Sequence, residues 1–319
     1  MCELATVSRE EMRLRRAIEH FGDVDLAAIT TETVQSYDQR LARQGLSGGT
    51  RRHHLNTLSN LYRRARAMRV VPSGYDPVGD LLSKPRGKKV EARWLQVHEA
   101  ALLLEAARLY QPAQTTGRPP VRFGHELVAT FLLTGGRESE VLGLEVADVS
   151  LDRAVVTFRP NAWRRLKTST SHRSVPLWPQ LREILERYLA AHPPSRLLFP
   201  SYRKGEEAML TDFRKLLDAV GARAGWEAGE IRSKMFRHTY CAARLQTLDG
   251  GEPVSTYTVG KEMGHGGDAM VRKVYGHLGQ VRHRAEAVEY RVEQYAAKLG
   301  ERLAAVRGAI LAPPLAPRR

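Results

Sequence analysis

The first part of the chain has the hydrophobic periodicity of short helices joined by turns. Apolar residues recur at helical spacing over residues 33–44 and again over residues 50–68, so each segment predicts an amphipathic helix. The glycine-rich stretch 45–49 separates the two helices, and prolines and a glycine between residues 72 and 77 end the region. The pattern therefore predicts a helical unit at the start of the chain.

A second region of regular periodicity begins at Trp94 and combines helices with two short strands. The runs 154–158 and 172–176 predict strands, and the residues between them, 159–171, are expected to form an exposed hairpin. The helices predicted in this region span residues 94–110, 126–133, 137–146, 181–191, 212–224, 236–248, 257–263, 269–275 and 281–303. The expected fold is mainly α with a small antiparallel β-sheet.

The segment between the two regions is basic and has no periodicity. Its sequence over residues 84–89 is KPRGKK, which is typical of an interdomain linker that contacts phosphates. We therefore expect a helical domain at residues 1–83, a linker at 84–93, a mixed α/β domain at 94–304 and a proline-rich tail at 305–319.

The charge balance indicates a polyanionic partner. Lys and Arg total 50 against 35 Asp and Glu, which gives a formal net charge of +15. Such an excess favours nucleic acid, because each neutralised phosphate releases condensed counterions. No stretch approaches the roughly 18 apolar residues of a spanning helix, and the N-terminus has no signal-peptide pattern. A cytoplasmic location is expected.

Cysteine and histidine usage argues against a metal centre. The only cysteines are Cys2 and Cys241, which excludes a disulfide framework and a cysteine-rich zinc site and fits a reducing compartment. The histidines show no metal-ligand spacing. Neither a metal nor another cofactor is expected.

Basic residues cluster in the second predicted helix, where no acidic residue occurs between Gly45 and Gly74. A solvated basic face is the alternative interpretation, but the acid-free run in a basic chain favours a helix that faces DNA. The candidate DNA contacts are Arg51, Arg52, Arg63, Arg64, Lys84, Arg86, Lys88, Lys89, Arg164 and Arg165.

Residues further along the chain fit the cleavage of a phosphodiester without a metal. That reaction needs an in-line nucleophile, fixed cations for the non-bridging oxygens and a proton donor for the leaving oxygen. Arginine suits the second role because its planar fork matches phosphate, and lysine or histidine suits the third. The candidates are Arg137, Lys167, Lys234, Arg237, His265 and Tyr275.

Five segments carry these candidates in a characteristic order. They are residues 134–144 (TGGRESEVLGL) followed by Asp148, Lys167 running into 173–177 (RSVPL), 236–240 (FRHTY), 263–266 (MGHG) and 274–277 (VYGH). Together they resemble the motifs of the tyrosine recombinases, the phage integrase family. Residues 50–67 followed by Asp76-Pro77 resemble the core-binding domain of that family, and the resemblance extends over about residues 15–295.

The resemblance implies a helical, SAM-like core-binding domain and a mixed α/β catalytic domain that clamp double-stranded DNA. It implies that Tyr275 attacks the scissile phosphate to form a 3′-phosphotyrosyl intermediate, and that Lys167 protonates the 5′ oxygen. Arg137, Arg237 and His265 would hold the pentacoordinate oxygens, with no metal or ATP. A homotetramer on two recombination sites is expected, with a directionality factor or accessory DNA-bending protein as further partners.

Two departures from the family pattern stand out. Lys234 occupies the position where the family usually has histidine, and ten residues separate His265 from Tyr275 where nine are common. Tyr257 and Tyr290 are weaker candidates for the nucleophile. Glu140 is expected to orient an arginine, whereas His238 and His277 are expected to pack or to support the residues that touch the substrate.

Two other functions compete with recombination. One is a type IB topoisomerase-like enzyme that relaxes DNA as a monomer with the same nucleophile. The other is a DNA-binding protein that keeps the fold without catalysis. The core-binding type of amino-terminal domain argues against the first, and the near-complete catalytic set argues against the second.

Overall fold

Two units make up the chain, the first ending at Glu91 and the second beginning at Ala92. The computed structural model describes residues 4–88, 92–112, 121–166, 169–192, 195–203, 206–275 and 285–308. In this part of the chain no helix is both long and apolar enough to cross a membrane. Each unit has a hydrophobic core of its own.

The first unit contains three α-helices, and the second and third of them each bury an apolar stripe. They are α1 (Leu4–Phe21), α2 (Thr31–Arg43) and α3 (Gly48–Ala67). Thr30 and Ser47 cap α2 and α3 by accepting hydrogen bonds from backbone amides of the first turn. Tyr37 and His54 bury their polar atoms together, with 2.9 Å between the tyrosine hydroxyl and Nδ1. The two helices predicted here therefore form, each beginning two residues earlier than the periodicity indicates.

The predicted linker begins against this unit. A Cβ atom added to Gly48 would lie 2.2 Å from the carbonyl oxygen of Arg86, so the start of α3 is in backbone contact with residues of the basic segment. Arg86 and Lys88 are nevertheless exposed, and Lys84 is half-buried. Lys89 lies outside the described residues.

The second unit is built around α5 (Gly124–Thr134), which is buried along nearly its whole length. A helix that is apolar on every side has to be enclosed by other elements, and α5 packs against α4, α7 and α9. The other helices are α4 (Val97–Arg108), α6 (Glu138–Leu142), α7 (Pro179–Ala191), α8 (Arg214–Arg223), α9 (Ser233–Arg244), α10 (Thr256–Glu262), α11 (Ala269–Tyr275) and α12 (Ala296–Gly308).

A three-stranded antiparallel sheet lies beside this helical core. Its order is β1 (Val149–Ser150), β2 (Val155–Phe158) and β3 (Arg173–Pro176), with Phe158 opposite Arg173 in the register. Two small hairpins complete the unit: β4 (Pro200–Arg203) with β5 (Glu206–Met209), and β6 (Leu248–Asp249) with β7 (Glu252–Pro253). The mainly α fold with small antiparallel sheets agrees with the sequence prediction, although the first strand and both hairpins are additional.

The long helix predicted over residues 281–303 is wrong in its described part. Residues 285–291 are not helical, a 3₁₀ turn covers Val292–Tyr295, and α12 begins only at Ala296. Val288, Tyr290 and Val292 are buried while the residues between them are half-exposed. This alternation is the period of extended chain, in which every second side chain faces the core.

Candidate active site

Arg137 is fixed by contacts from three parts of the second unit. It stands just before α6, and its side chain donates to Glu140 Oε1 at 2.6 Å, to Ser171 Oγ at 3.2 Å and to the carbonyl of Gly264 at 3.2 Å. These contacts join α6, the chain before β3 and the turn after α10. Arg137 is therefore held in one orientation, with 28% of its side chain exposed.

Glu140 is the buried carboxylate that organises this corner, as the sequence predicted. Its Oε2 atom accepts from Arg173 Nη2 at 2.8 Å and from the backbone amide of Arg137 at 2.9 Å. Burial alone would raise the pKa of Glu140, but Arg173 and then Arg137 outweigh burial and lower the pKa to about 2. The carboxylate is therefore ionised at neutral pH and orients arginines without exchanging protons.

Arg237 lies on α9 and completes a pair of inward-facing guanidinium groups. It donates to the carbonyl of Gly135 at 2.7 Å, to the carbonyl of Met263, and to His265 Nε2 at 3.2 Å. Burial, followed by the charges of Arg137 and Arg173, lowers its pKa to about 9, so it stays protonated at neutral pH. Across the described ranges no carboxylate forms an ion pair with Arg237.

Two glycines with positive φ supply carbonyls that hold the two arginines. Gly135 ends α5 at φ +61°, and an added Cβ would lie 2.5 Å from the ring of Tyr240. Gly264 has φ +64°, and its Cβ would lie 3.0 Å from Arg173 Nη1. Because side chains are disfavoured both by this backbone conformation and by the space, glycine is required at each turn.

His265 follows Gly264 and is neutral in this arrangement. Its Nε2 atom accepts from Arg237, so the ring proton resides on Nδ1. Burial, then the charges of Arg237, Arg137 and Arg173, lowers its pKa to about 4. A bound phosphate would add the negative charge that these three cations lack, and would thereby favour protonation of the ring.

Tyr275 ends α11 and is buried, with 4% of its surface exposed. Its ring packs beside that of Trp94, with 5.9 Å between the centroids, and its hydroxyl is hydrogen-bonded to His238 Nδ1. Burial, and after it Cys241, raises the pKa of Tyr275 well above its ordinary value. The phenol is therefore fully protonated near neutral pH.

His238 is a residue for which the sequence predicted only a packing or supporting position. In the structure it contacts the hydroxyl of the candidate nucleophile. The only sequence signal was its position directly after Arg237, on the helix that also carries Lys234. Contact with a residue 37 positions away depends on how α11 packs against α9.

The two lysines of the predicted set have different outcomes. Lys234 is exposed on the first turn of α9, where its charge acts on His238. Lys167 lies outside the described residues, as does His277. Of the rival tyrosines, Tyr257 is 57% exposed beside Lys261, and Tyr290 is buried in the core next to α7.

The exposed position predicted for Arg164 is wrong. Its side chain is 1% exposed, donates to the carbonyl of Glu140 at 2.9 Å and pairs with buried Asp148 at 3.4 Å. Asn161 causes this inward turn, because its side-chain oxygen accepts from the backbone amide of Arg164 at 3.0 Å. Arg165, the next residue, is exposed as expected.

The basic helix α3 presents a polar face. Arg52, Arg63 and Arg64 are exposed, and Arg52 and Arg63 lie about 20° apart around the helix axis because eleven residues make slightly more than three full turns. Arg51 is less available for a contact with DNA, because it pairs with Asp38 at 3.0 Å. Among the residues that the structure covers, no cluster of three potential metal ligands occurs.

Comparison with known proteins agrees with this geometry. The model of the phage integrase family matches residues 94–281, which is more than half of the chain. The tyrosine recombinase XerD of Brucella suis is 25% identical over 268 residues, which cover 80% of each chain. Similar solved folds include the Tn1549 transposon integrase in complex with a circular intermediate DNA (TM-score 0.67, 15% identity, 94% of this chain and 95% of that one).

A second solved fold, the XerH site-specific recombinase bound to palindromic difH substrate, has a TM-score of 0.65 at 18% identity and covers 93% of this chain and 80% of that one. The matched family region contains Arg137, Arg237, His265 and Tyr275. The chain therefore belongs to the phage integrase family of tyrosine recombinases, enzymes that break and rejoin DNA at specific sites.

Proposed function

We propose that this site-specific recombinase cleaves DNA with Tyr275 and forms a 3′-phosphotyrosyl intermediate with a 5′-hydroxyl leaving group. The supporting observation is the convergence of Arg137, Arg237 and His265 around one corner that has a net positive charge. Arg137, Arg173 and Arg237 meet there; among the described residues, Glu140 pairs only with Arg137 and Arg173, and Glu262 pairs with Arg244. A bound phosphate would complete this set of charges.

The arginines have the geometry that phosphoryl transfer requires. Each guanidinium group is anchored through some of its N–H groups to backbone carbonyls, so its position is set before the substrate arrives. Fixed cations stabilise the charge that develops on the non-bridging oxygens without reorganising in the transition state. In this proposal Lys167 protonates the leaving 5′ oxygen, and Lys234 adds a further cation for a phosphate oxygen.

Burial of Tyr275 implies that DNA binding and activation are coupled. Tyr275 is 4% exposed, its hydroxyl contacts His238 and its ring packs beside Trp94. Phosphorus must approach the tyrosine oxygen in line with the leaving group, and this requires the α11 region to move when DNA binds. An unoccupied enzyme therefore keeps its nucleophile away from water and from unrelated phosphates.

The proposed substrate is a pair of duplex recombination sites, with one protomer for each of four cleavages and hence a homotetramer on two duplexes. The carboxy-terminal region would pack onto a neighbouring protomer, and a directionality factor or DNA-bending protein would select the direction. Light scattering of the complex with cleavage-trapped DNA measures the protomer number. A complex with two protomers on two duplexes would contradict the tetramer.

Covalent capture on DNA of randomised sequence tests whether Tyr275 is the nucleophile. The protein is incubated with nicked duplexes of randomised sequence, and the adducts that survive SDS are isolated and sequenced. We expect the wild type to form the adduct and Tyr275→Phe to form none. Tyr257→Phe, the control variant in which an exposed tyrosine is replaced, should form the adduct as the wild type does. An adduct formed by Tyr275→Phe would refute the assignment of the nucleophile.

Covalent capture together with a plasmid relaxation assay separates recombination from the two competing functions. A wild-type protein that binds DNA but forms no adduct would indicate a DNA-binding protein without catalysis. Relaxation of supercoiled plasmid at every sequence, without exchange between two captured sites, would indicate topoisomerase-like chemistry.

A further inference from the structure

His238 contacts the oxygen atom that has to become the nucleophile. Its Nδ1 atom is hydrogen-bonded to the Tyr275 hydroxyl, and the two ring centroids lie 5.9 Å apart. Tyr275 is 4% exposed, so solvent has little access to the phenol in this arrangement. A proton that leaves Tyr275 therefore has to pass to a neighbouring side chain.

Two consecutive residues of helix α9 face the two reacting groups, which are the expected phosphate and the tyrosine hydroxyl. Arg237 faces Gly135, Met263 and His265, where the phosphate is expected. His238 is rotated about 100° further around the helix and faces Tyr275. One rigid element therefore sets the spacing between the phosphate-binding arginine and the residue that touches the nucleophile.

The contact with His238 is compatible with the tautomer that can take the phenol proton. A hydroxyl has one proton to donate, and a neutral imidazole has one ring nitrogen that carries a lone pair. When the Tyr275 hydroxyl donates to Nδ1, the imidazole carries its own proton on Nε2 and has a lone pair where a base needs one.

Resting on the function proposed above, we propose that His238 is the general base that removes the Tyr275 proton during cleavage and returns it during ligation. In cleavage the Oη–P bond forms, the P–O5′ bond breaks, and the phenol proton moves to Nδ1 to give an imidazolium. The leaving 5′ oxygen takes its proton from a separate acid, assigned to Lys167. In ligation each transfer runs in reverse.

The surroundings of His238 keep it in the basic form. The groups that act on it are Lys234 and Arg237 on its own helix, and Tyr275 faces it from α11. Burial, then the charges of Lys234 and Arg237, lowers the pKa of His238. The ring is therefore neutral at pH 7, whereas the raised pKa of Tyr275 excludes a preformed phenolate.

The test replaces His238 with asparagine, whose side-chain oxygen can accept the hydrogen bond but cannot take the proton. His125→Asn is the matched control, because His125 lies in the first turn of α5, about 15 Å along the helix from the Gly135 end. Cleavage of a captured suicide substrate is measured in single turnover between pH 5.5 and 9, with DNA affinity measured in parallel.

We expect the wild type and His125→Asn to show a rate that rises with pH and reaches a plateau near neutrality. His238→Asn should cleave about 100-fold more slowly at pH 7, with unchanged DNA affinity and a rate that continues to rise with pH. Ligation from the covalent adduct should slow by a similar factor, because the tyrosine oxygen then leaves without its proton.

Cleavage by His238→Asn within threefold of the wild-type rate, with the same plateau, would overturn the proposal. Imidazole added to His238→Ala provides a second measurement in case asparagine weakens the fold. A rate that increases with imidazole concentration supports the proposal, and a rate that does not respond overturns it. The proposed function fails separately, since in that case the wild-type protein itself forms no adduct.

Discussion

Glu140→Gln should destabilise the second unit while leaving the first unit intact. The substitution keeps the size of a buried side chain that is 3% exposed, but removes the charge that two arginines share. It also places an amide donor against Arg137 and Arg173, which are themselves donors. The two arginines then remain buried with no negative charge paired to them, and removing one partner of a buried ion pair is strongly destabilising.

The magnitude follows from the pKa of Glu140. A carboxyl group whose pKa falls from an ordinary 4.5 to about 2 contributes about 3 kcal/mol to folding at pH 7. Because the folded-state pKa is lowered, this stabilisation is complete above pH 4.5 and is lost as the pH falls through 2. At pH 3 less than half of this stabilisation should remain.

Urea denaturation followed by tryptophan fluorescence measures the free energy of unfolding of the second unit of the chain. The four tryptophans, Trp94, Trp163, Trp178 and Trp226, all belong to the second unit, so the signal reports its unfolding alone. Glu183→Gln is the control, because Glu183 is 52% exposed in its pair with Arg291 and should cost less than about 1 kcal/mol. A Glu140→Gln deficit below about 1 kcal/mol, or one equal at pH 7 and pH 3, would refute the reasoning.

Two further predictions concern the turn that holds the arginines and the basic face of α3. Gly264→Ala places a side chain on a residue at φ +64°, 3.0 Å from Arg173, so the rate of cleavage should fall at least about tenfold. Gly266→Ala is the control, because its added Cβ meets nothing within 4 Å and its rate should stay near wild type; equal rates of the two variants in single-turnover assays would contradict this. Replacing exposed Arg63 with alanine should reduce the magnitude of the slope of log affinity against log salt concentration by about 0.9. Arg51→Ala should reduce it less, because Asp38 already pairs with Arg51 at 3.0 Å; the reverse order in a binding titration would exclude α3 as a phosphate-contacting face.

The family and the mainly α fold could be predicted because their signals are local. Arg137 and His265 each lie next to glycines that the turns require, and the strands over residues 155–158 and 173–176 carry β-branched residues. Chemical type and local backbone conformation were sufficient in these cases. Predicted and observed helices accordingly agree in type over most of the second unit.

The remaining features depend on tertiary contacts that periodicity does not contain. Arg164 turns inward because Asn161 and buried Asp148 hold it, and an arginine in a polar hairpin gives no sign of such a partner. Residues 288–292 alternate between buried and half-exposed, yet Val288 and Val292 are also four positions apart, which is the spacing of one helix face. The contact of His238 with Tyr275 follows only from the packing of α11 against α9.

The carbonyls of Gly135 and Gly264 have a consequence for how fast the site can accept a ligand. The Gly135 carbonyl holds Arg237 through a dipole rather than through a full counter-charge, whereas Arg137 is held both by the Gly264 carbonyl and by the carboxylate of Glu140. A guanidinium that is paired with a carboxylate must separate from it before it binds phosphate, whereas one anchored by a carbonyl keeps its anchor and binds through its remaining N–H groups. Within the described part of the chain, a DNA phosphate bound as proposed would therefore meet Arg237 with no ion pair to exchange, and the remaining barrier to the proposed reaction would be the uncovering of Tyr275.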